Sequence, residues 1–402
     1  MALNGDPTQE LVALTARLVR AVEKLNGVGY GDPPYSLSQL LEVLVDHKGT
    51  FLHLNAGSPP TLRIGEELVT IGDHVLKPAD CRFLINSNLT QEQIRAQSQA
   101  QELDFNRIDG GHGFRFHIYL ERGCPAASIR RLRTDIPKLV ELGLSGGAVE
   151  NFLDANEGGL MVLAGKPRCG KINTFAALVN YINSQRRTRI VTVEPMIQFW
   201  HNSQESTVIQ RELGTDTRSF SQAVRQAVQQ DPDILAVGGI PDRETAEVII
   251  QAAAGGHLVL ALLDGSSCVR ALDELLAAFS GGDGRMHQLM GRVMKLLVCQ
   301  HLVQRADGRG LIPAFEILEC DDQVRAMISQ ADLREVHHHM AARQMQTLAR
   351  HLSRMLEVGL VTREEAVKYV DESEIEVLPP SQLEIPTPEP AVDDETPLMS
   401  WL

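Results

Sequence analysis

Between residues 146 and 285 the chain alternates short apolar runs with longer stretches in which apolar positions recur every three or four residues. The apolar runs are GGLMVLAG, RIVTVEP, DILAVGG and HLVLALL. The periodic stretches between them are NTFAALVNYINSQ, SFSQAVRQAVQQ and RETAEVIIQAAAGG. Short apolar runs bounded by turn residues are typical of buried strands, and a 3.6-residue period is typical of helices. This alternation predicts an α/β domain with a parallel sheet and crossover helices.

The segments on either side follow different patterns. Residues 36–135 combine one predicted helix with the short strand-like runs FLHLN, TLRIG, ELVTI and FRFHIYL, which together predict a small α/β domain. Residues 285–370 are predicted to be mainly helical. One apolar stripe at helical spacing there consists of Met345, Leu348, Leu352, Met355 and Leu356. A further amphipathic helix is predicted at residues 11–25, either packed on the body of the protein or bound to a partner.

These patterns divide the chain into four segments. They are an N-terminal helix and loop (1–35), a small domain (36–135), a larger α/β domain (136–372) and a tail (373–402). The tail holds six of the 19 prolines and no Lys or Arg, and such a composition buries too little apolar surface to fold. We predict that the tail is disordered, with its terminal LMSWL either a short docking motif or an unstructured end.

Charge and cysteine spacing exclude several classes of protein. The formal net charge is −14, whereas nucleic-acid-binding proteins usually present a basic surface, so we expect no nucleic-acid partner. The six cysteines form no CxxC pair, which argues against a zinc ribbon or a disulfide framework, and no metal site is predicted. No apolar run reaches the ~18 residues that span a bilayer and no secretory signal is recognisable, which favours a cytoplasmic location.

The strongest chemical motif is GKPRCGKIN, which follows a predicted strand and precedes a predicted helix. Gly165, Gly170 and Lys171 satisfy the G-x-x-x-x-G-K pattern of a phosphate-binding loop, or P-loop. Glycines at this spacing let backbone N–H groups surround phosphate oxygens, and the helix N-terminus adds favourable partial charge. Lys171 would reach the β and γ phosphates of a nucleotide.

Two positions of this motif are unusual. Ile172 stands where a Ser or Thr hydroxyl normally binds Mg²⁺, and an alkyl side chain cannot coordinate a metal. Arg168 stands where a third glycine is common, so its side chain either crowds the loop or contacts a phosphate. The motif therefore indicates a P-loop fold more strongly than it indicates hydrolysis of Mg-ATP.

Several segments together resemble the type IV pilus retraction ATPases (PilT-like), within the type II/IV secretion ATPase superfamily. The resemblance extends over roughly residues 36–370. It is carried by GTFLHLNAGSPPTLRI, FRFHIYLERGCPAASIRRLRTDIPKLVELGL, TVEPMIQF, QRELGTDTRSFSQAVRQAVQQDPDILAVG, GGHLVLALLDGSSCVRALDELLAAF and MQTLARHLSRMLEVGLVTREEA, which occur in the family's order. Six ordered matches of this length are specific.

The resemblance implies an architecture and an assembly. It implies a PAS-like N-terminal α/β domain followed by a RecA-like P-loop domain with a helical C-terminal part, with nucleotide between the two domains. It further implies a homo- or hetero-hexamer with family ATPases, docked peripherally at the inner face of the inner membrane on a pilus or secretion platform. The residues that it places near nucleotide are Arg115, Arg131, Arg211, Arg225, Asp233 and His257.

The departures from the family concentrate at positions of chemistry. Besides Arg168 and Ile172, the altered positions are Pro195 and Gln198 in the acidic segment, Gly239 at the family's catalytic glutamate, and Asp264 at its second histidine. A carboxylate that orients or deprotonates the attacking water contributes ~10²–10⁴-fold in rate, and Gly239 has no side chain for that role. Glu194 is the remaining candidate for a catalytic base.

Three functions are compatible with this pattern. The first is a pseudoenzyme that acts as a regulatory or structural ring subunit in type IV pilus function and twitching motility, or in a related secretion system. The second is a divergent but active ATPase that powers pilus retraction with Glu194 in a catalytic role. The third is an adaptor that recruits a partner through the acidic tail. ATP is the nucleotide that the loop would hold, whereas Mg²⁺ lacks its usual hydroxyl ligand.

Overall fold

A computed structural model describes residues 33–375 except 66, 145–146, 156 and 281–283, and it describes Ser98 by its backbone alone. The chain divides into two compact units, with the division between Arg133 and Thr134. The helix predicted at residues 11–25 and the tail from residue 376, including LMSWL, lie outside the described residues. Among the described residues, no helix combines the length and apolar character needed to cross a bilayer.

The first unit is built on a six-stranded antiparallel sheet with the strand order β3-β2-β1-β6-β5-β4. Its strands are β1 (Phe51–Leu54), β2 (Thr61–Ile64), β3 (Glu67–Thr70), β4 (Leu103–Asp109), β5 (His112–Glu121) and β6 (Cys124–Arg131). Its helices are α1 (Leu37–Asp46), α2 (Pro78–Asn86) and α3 (Gln91–Ala100). Helix α1 begins with a capping box formed by Ser36 and Gln39, and it buries Leu40 and Leu44 in the core.

The sequence-based count of one helix in this unit is wrong, since the structure has three. Helix α3 buries no apolar side chain from its sequence QEQIRAQSQA, so the apolar period that reveals most helices is weak there. The signal that does mark it is the capping box of Thr90 and Gln93. Helix α2 has its own start signal, because Pro78 occupies the first turn.

The second unit contains a seven-stranded sheet and the remaining helices. Its strands are β7 (Gly159–Gly165), β8 (Arg189–Glu194), β9 (Thr207–Glu212), β10 (Ile234–Val237), β11 (Leu258–Asp264), β12 (Met294–Gln304) and β13 (Leu311–Glu319). Its helices are α4 (Ala148–Asp154), α5 (Lys171–Gln185), α6 (Phe220–Val228), α7 (Arg243–Ala254), α8 (Cys268–Ala277), α9 (Arg285–Val293), α10 (Asp322–Gln330), α11 (Val336–Ala342), α12 (Leu348–Glu357) and α13 (Arg363–Ala366), and a short 3₁₀ turn covers Glu372–Glu374.

The sheet of the second unit places β7 inside it, in the order β13-β12-β7-β11-β10-β8-β9. All neighbouring strands are parallel except β12 and β13, which are antiparallel. Alternate residues of β7 enter two apolar clusters on opposite faces, with Leu160 and Val162 in one and Met161 and Leu163 in the other. This arrangement confirms the predicted α/β fold with a parallel sheet, crossover helices and a helical C-terminal part.

The prediction that residues 285–370 are mainly helical is wrong for the hairpin of β12 and β13. The sequence MKLLVCQHLVQ is almost continuously apolar and follows helix α9 without a break, so its pattern alone does not distinguish strand from buried helix. The two glycines between the strands, Gly308 and Gly310, do indicate a turn in the sequence. Both have positive φ in the structure. Strand β12 lies on the free side of β7 and extends the parallel sheet by one strand.

Candidate functional site

The P-loop leaves the carboxyl end of β7 after Gly165 and enters helix α5 at Lys171. Gly170, the residue before the helix, has φ of 80°, which glycine adopts without steric cost. Arg168 has φ of 65°, a left-handed conformation that costs a non-glycine residue about 1 kcal/mol or more. The loop therefore keeps a conformation suited to glycine at residue 168, while the arginine side chain extends into solvent.

Gly165 is required by the close approach of the returning loop. A Cβ atom on Gly165 would lie 2.3 Å from Sγ of Cys169 and 2.9 Å from the carbonyl oxygen of Gln300. The Cys169 side chain is itself buried, and burial raises the pKa of its thiol. The small side chain of Cys169 thus fills the space beneath the loop.

Gln300 on β12 ties the loop to the sheet, and sequence reasoning did not identify it. Its Nε2 donates to the carbonyl oxygen of Cys169 at 2.8 Å, and its Oε1 accepts from the Thr174 hydroxyl at 2.7 Å. Both side chains are buried, so these bonds satisfy polar groups that water cannot reach. The available signal was an amide side chain directly after the apolar run LLVC of β12.

Lys171 is engaged within the chain. Its Nζ donates to the carbonyl oxygen of Gly165 at 2.7 Å and pairs with the carboxylate of Asp264. Asp264 ends strand β11 and lies in register with Gly165 of β7. Asp264, which stands where the family has its second histidine, therefore contacts Lys171, the lysine expected to hold a phosphate.

The side chain of Ile172 packs against the protein interior. It is half-buried and contacts the apolar cluster that contains Leu163 and Phe175. Thr174 carries the one hydroxyl between residues 165 and 174, and that hydroxyl is bonded to Gln300. The residues of this loop therefore do not fit the Mg²⁺ that P-loops usually hold. Within the described part of the chain, no group of three His, Cys, Asp or Glu side chains is placed to bind a metal ion.

Glu194 lies at the end of β8 and is 8% exposed. Its Oε1 accepts from the hydroxyl of Thr192 at 2.6 Å and from Nε2 of Gln210 at 3.2 Å. Burial raises its pKa to about 7, and the nearby charge of Glu212 adds to the increase. A pKa near neutrality suits a general base, but strand β8 is three strands from β7, which is about 14 Å at 4.8 Å per strand.

Gly238 and Gly239, which follow β10, carry no acidic side chain of their own, but Cγ of Glu194 would lie 3.3 Å from a Cβ on Gly238. Gly238 is enclosed, since a Cβ there would lie 3.0 Å from Cδ of Pro195 and 3.2 Å from Cα of Glu194. Gly239 is less restricted, because a Cβ would meet only Cγ of Pro195, at 3.9 Å. Gln198 is half-buried in the segment after β8. The altered positions 195 and 239 therefore lie side by side.

Within the second unit, Asp233 and His257 lie apart from the loop that carries Lys171. Oδ2 of Asp233 accepts from the backbone N–H of Arg189, and the His257 ring is 2.8 Å from the carbonyl oxygen of Pro232. Both residues precede their strands, whereas the loop follows strand β7. The amino and carboxyl ends of the paired strands β7 and β11 are six residue steps apart, a distance of about 20 Å.

Three of the four predicted arginines have local partners of their own. On β9, Arg211 donates to the carbonyl oxygen of Ala223 at 3.4 Å. Arg225 on α6 pairs with Glu244 on α7 at 3.3 Å. Arg115 and Arg131 belong to strands β5 and β6 of the first unit, and Arg115 lies 3.8 Å from the carboxylate of Asp104.

A cleft of about 460 Å³ adjoins the loop at Lys166. This volume lies within the range of roughly 300–1,000 Å³ that is usual for small-molecule sites. The basic side chains in its lining belong to Lys166, His301, His337 and Lys368. The His301 ring meets Tyr369 edge-on, with 6.0 Å between ring centroids.

A parallel sheet in which a buried strand passes through a glycine-bounded loop and a lysine into a helix defines a P-loop protein. The chain belongs to the family described as type II/IV secretion system protein, whose profile matches residues 122–368. The family match covers more than half of the chain and includes the whole P-loop.

Individual relatives agree with the predicted resemblance to pilus retraction ATPases. The chain is 28% identical to the type IV pilus ATPase PilU of Pseudomonas aeruginosa, over 83% of this chain and 88% of PilU. It is also 28% identical to the type IV pilus retraction ATPase PilT of Pseudomonas aeruginosa, over 82% of this chain and 96% of PilT. A crystal structure of the pilus retraction motor PilT with bound ADP superposes with a TM-score of 0.72 at 27% identity, and covers 84% of this chain and 98% of that chain. The predicted family resemblance is confirmed.

Replacing Gln300 with Met should loosen the P-loop. The substitution removes both hydrogen bonds and leaves the Thr174 hydroxyl and the Cys169 carbonyl without partners, which costs about 2–4 kcal/mol. We expect a lower urea midpoint and faster hydrogen exchange at residues 166–174. Gln304→Met, at the exposed end of the same strand, is the matched control and should leave both measurements unchanged. Equal exchange in the Gln300 variant and the wild type would contradict this role.

Replacing Glu194 with Gln should change how stability depends on pH. Because the pKa in the folded protein is about 7 against an ordinary 4.5, the unfolded state loses the proton first. Wild-type stability should therefore fall as pH rises from about 4.5 to 7, by roughly 3 kcal/mol.

Glu194→Gln removes this titration, so the variant should gain stability over the wild type at pH 8 and match it near pH 4.5. Urea unfolding at both pH values measures the difference, and Glu274→Gln, on an exposed position of α8, is the control. A variant that is less stable than the wild type at pH 8 would show that the carboxylate form is the one favoured by the fold.

Proposed function

We propose that this chain is a nucleotide-binding ring subunit of a type IV pilus or related secretion machine that has lost most or all ATP hydrolysis. Membership of the secretion family and the similarity to PilU and PilT support the cellular context. The solved relative carries bound ADP, and the intact glycine loop with Lys171 supports nucleotide binding here.

The observation that carries the loss of hydrolysis is the environment of Gly239. Gly239 itself offers no carboxylate to an attacking water, and the neighbouring ring is that of Pro195. The other acidic candidate, Glu194, is buried and already accepts two hydrogen bonds. A general base must lie within hydrogen-bond reach of the water that it activates. Gly239 has no such group, and the Glu194 carboxylate is engaged by Thr192 and Gln210.

Metal chemistry gives independent support. In P-loop enzymes the metal neutralises charge that develops on the transferred phosphoryl group. The apolar packing of Ile172 and the bond between Thr174 and Gln300 leave the loop without a hydroxyl ligand. Nucleotide would therefore bind through Lys171 and the backbone N–H groups, in a manner that does not require Mg²⁺.

Ring membership is the finer part of this proposal. Family relatives suggest a hexamer, in which this chain joins copies of itself or of an active ATPase at the cytoplasmic face of the membrane platform. Arg115, Arg131, Arg211 and Arg225 would then contribute positive charge to nucleotide held in the ring. A subunit that binds nucleotide without hydrolysing it would slow or regulate the ring.

One observation favours the alternative of a divergent, active ATPase. The pKa of Glu194, near 7, matches the value expected for a base at neutral pH. A conformational change that exposed this carboxylate would give it access to water. Hydrolysis that disappears in Glu194→Gln would support this alternative.

We expect the purified chain to bind ADP and ATP without measurable dependence on Mg²⁺ and to release no phosphate above background. Lys171→Ala should abolish binding, because it removes the cation of the loop. Equilibrium binding with and without EDTA, together with a phosphate-release assay, measures both properties. Magnesium-dependent turnover near about 1 s⁻¹, the low end for enzymes, that is lost in Lys171→Ala would refute the proposal.

The double variant Ile172→Thr with Gly239→Glu is the complementary arm of this experiment. It supplies a hydroxyl for the metal and a carboxylate for water, and the space at residue 239 accepts a side chain. Phosphate release should rise above the wild-type level. Gly239→Gln in the same background should remain inactive, since it fills the same space without a base.

Ring membership should survive removal of the acidic tail. We expect the tagged full chain to co-purify with an active pilus ATPase from the same cell, and a chain truncated after residue 375 to do so equally, because the family domain supplies the ring contacts. Size-exclusion chromatography with light scattering measures the assembly. A complex that is lost on truncation would instead support the adaptor function of the tail.

A further inference from the structure

The end of strand β11 is held beside the start of the P-loop. Strands β7 and β11 pair in register along their full lengths, and the last pair joins Gly165 and Asp264. The next residue continues this contact, because the backbone N–H of Gly265 donates to the carbonyl oxygen of Gly165 at 3.3 Å. The sheet itself therefore sets the position of the Asp264 carboxylate.

That carboxylate covers the outer side of the Lys171 ammonium. One N–H of the ammonium points inward to the carbonyl oxygen of Gly165 at 2.7 Å. The Lys171 side chain is 14% exposed, and that of its partner Asp264 is 71% exposed. An anion that approaches Lys171 from solvent thus meets a negative charge before it meets the positive one.

We infer that Asp264 acts as an intrachain substitute for phosphate and must be displaced before a nucleotide can use Lys171. This inference rests on the proposed nucleotide binding and makes Asp264 the residue that sets its affinity and selectivity. Lysine at this place in a P-loop binds the β and γ phosphates, and a carboxylate competes for the same charge. Repulsion grows with the charge of the ligand, so Asp264 penalises nucleoside triphosphates more than diphosphates.

A purely structural role does not account for this pair. Ion pairs with a solvent-exposed partner contribute little to folding stability, and Asp264 is mostly exposed. A divalent cation would ordinarily screen a carboxylate from phosphate, but the loop lacks the hydroxyl ligand for one. The repulsion between the Asp264 carboxylate and a bound phosphate is therefore not reduced by a metal ion.

The test compares the full-length wild type with Asp264→Asn, which keeps the shape of the side chain and removes its charge. Fluorescent ADP and ATP analogues are titrated in EDTA. Removal of one nearby charge should tighten ADP binding about five- to tenfold and ATP binding by more. Asp273→Asn, an equal charge change on an exposed position of α8, should leave both affinities unchanged. The double variant Lys171→Ala with Asp264→Asn should bind neither nucleotide, as expected if the gain acts through Lys171.

A second measurement does not depend on nucleotide. Acetylation of Lys171 by a small water-soluble reagent, followed by mass spectrometry and normalised to the exposed Lys138, should be faster in Asp264→Asn than in the wild type or Asp273→Asn. Equal labelling, or unchanged affinity in Asp264→Asn where the wild type does bind nucleotide, overturns the inference. If no variant binds nucleotide, the proposed function fails, and the labelling result alone decides whether Asp264 covers the lysine.

Discussion

The candidate site depends on the burial of strand β7 on both faces. Its seven residues are all buried, and alternate side chains enter two different apolar clusters. A strand packed on both sides cannot shift by one residue without moving its whole side-chain set into the wrong cluster. Gly165 is therefore delivered to a fixed point, and the bonds from Gln300 hold the following turn against the sheet.

Around this loop, several side chains of the candidate site have partners within the chain. Lys171 is paired with Asp264, Ile172 packs into the apolar cluster, and the Glu194 carboxylate accepts from Thr192 and Gln210. Glu194 shows why a perturbed pKa does not by itself identify a catalytic residue. Burial raises its pKa, and the same burial keeps the carboxylate from a substrate. The loop keeps Gly165, Gly170 and Lys171, and Ile172 and Gly239 carry no polar side chain.

The sequence predicted the alternating core of the second unit, and the structure places its four strands and three helices where the apolar periods indicated. The sequence-based prediction of secondary structure was wrong where local patterns were ambiguous or weak. Strand β12 was taken for helix because a continuous apolar run suits either structure, and helix α3 was missed because its side chains are polar. Asp233 precedes β10, so it lies at the amino ends of the parallel strands, whereas the P-loop follows the carboxyl end of β7.

The sequence by itself determined the P-loop fold, the family and the loss of a carboxylate at residue 239, since these depend on residue type and local spacing. Only the tertiary structure decided the partners of the loop. Gln300 and Thr174 are 126 positions apart in the chain, and Asp264 and Lys171 are 93 apart. Contacts of that separation arise from strand order and register, which no local pattern encodes. The chain specifies each strand locally, and the packed sheet specifies which side chains meet.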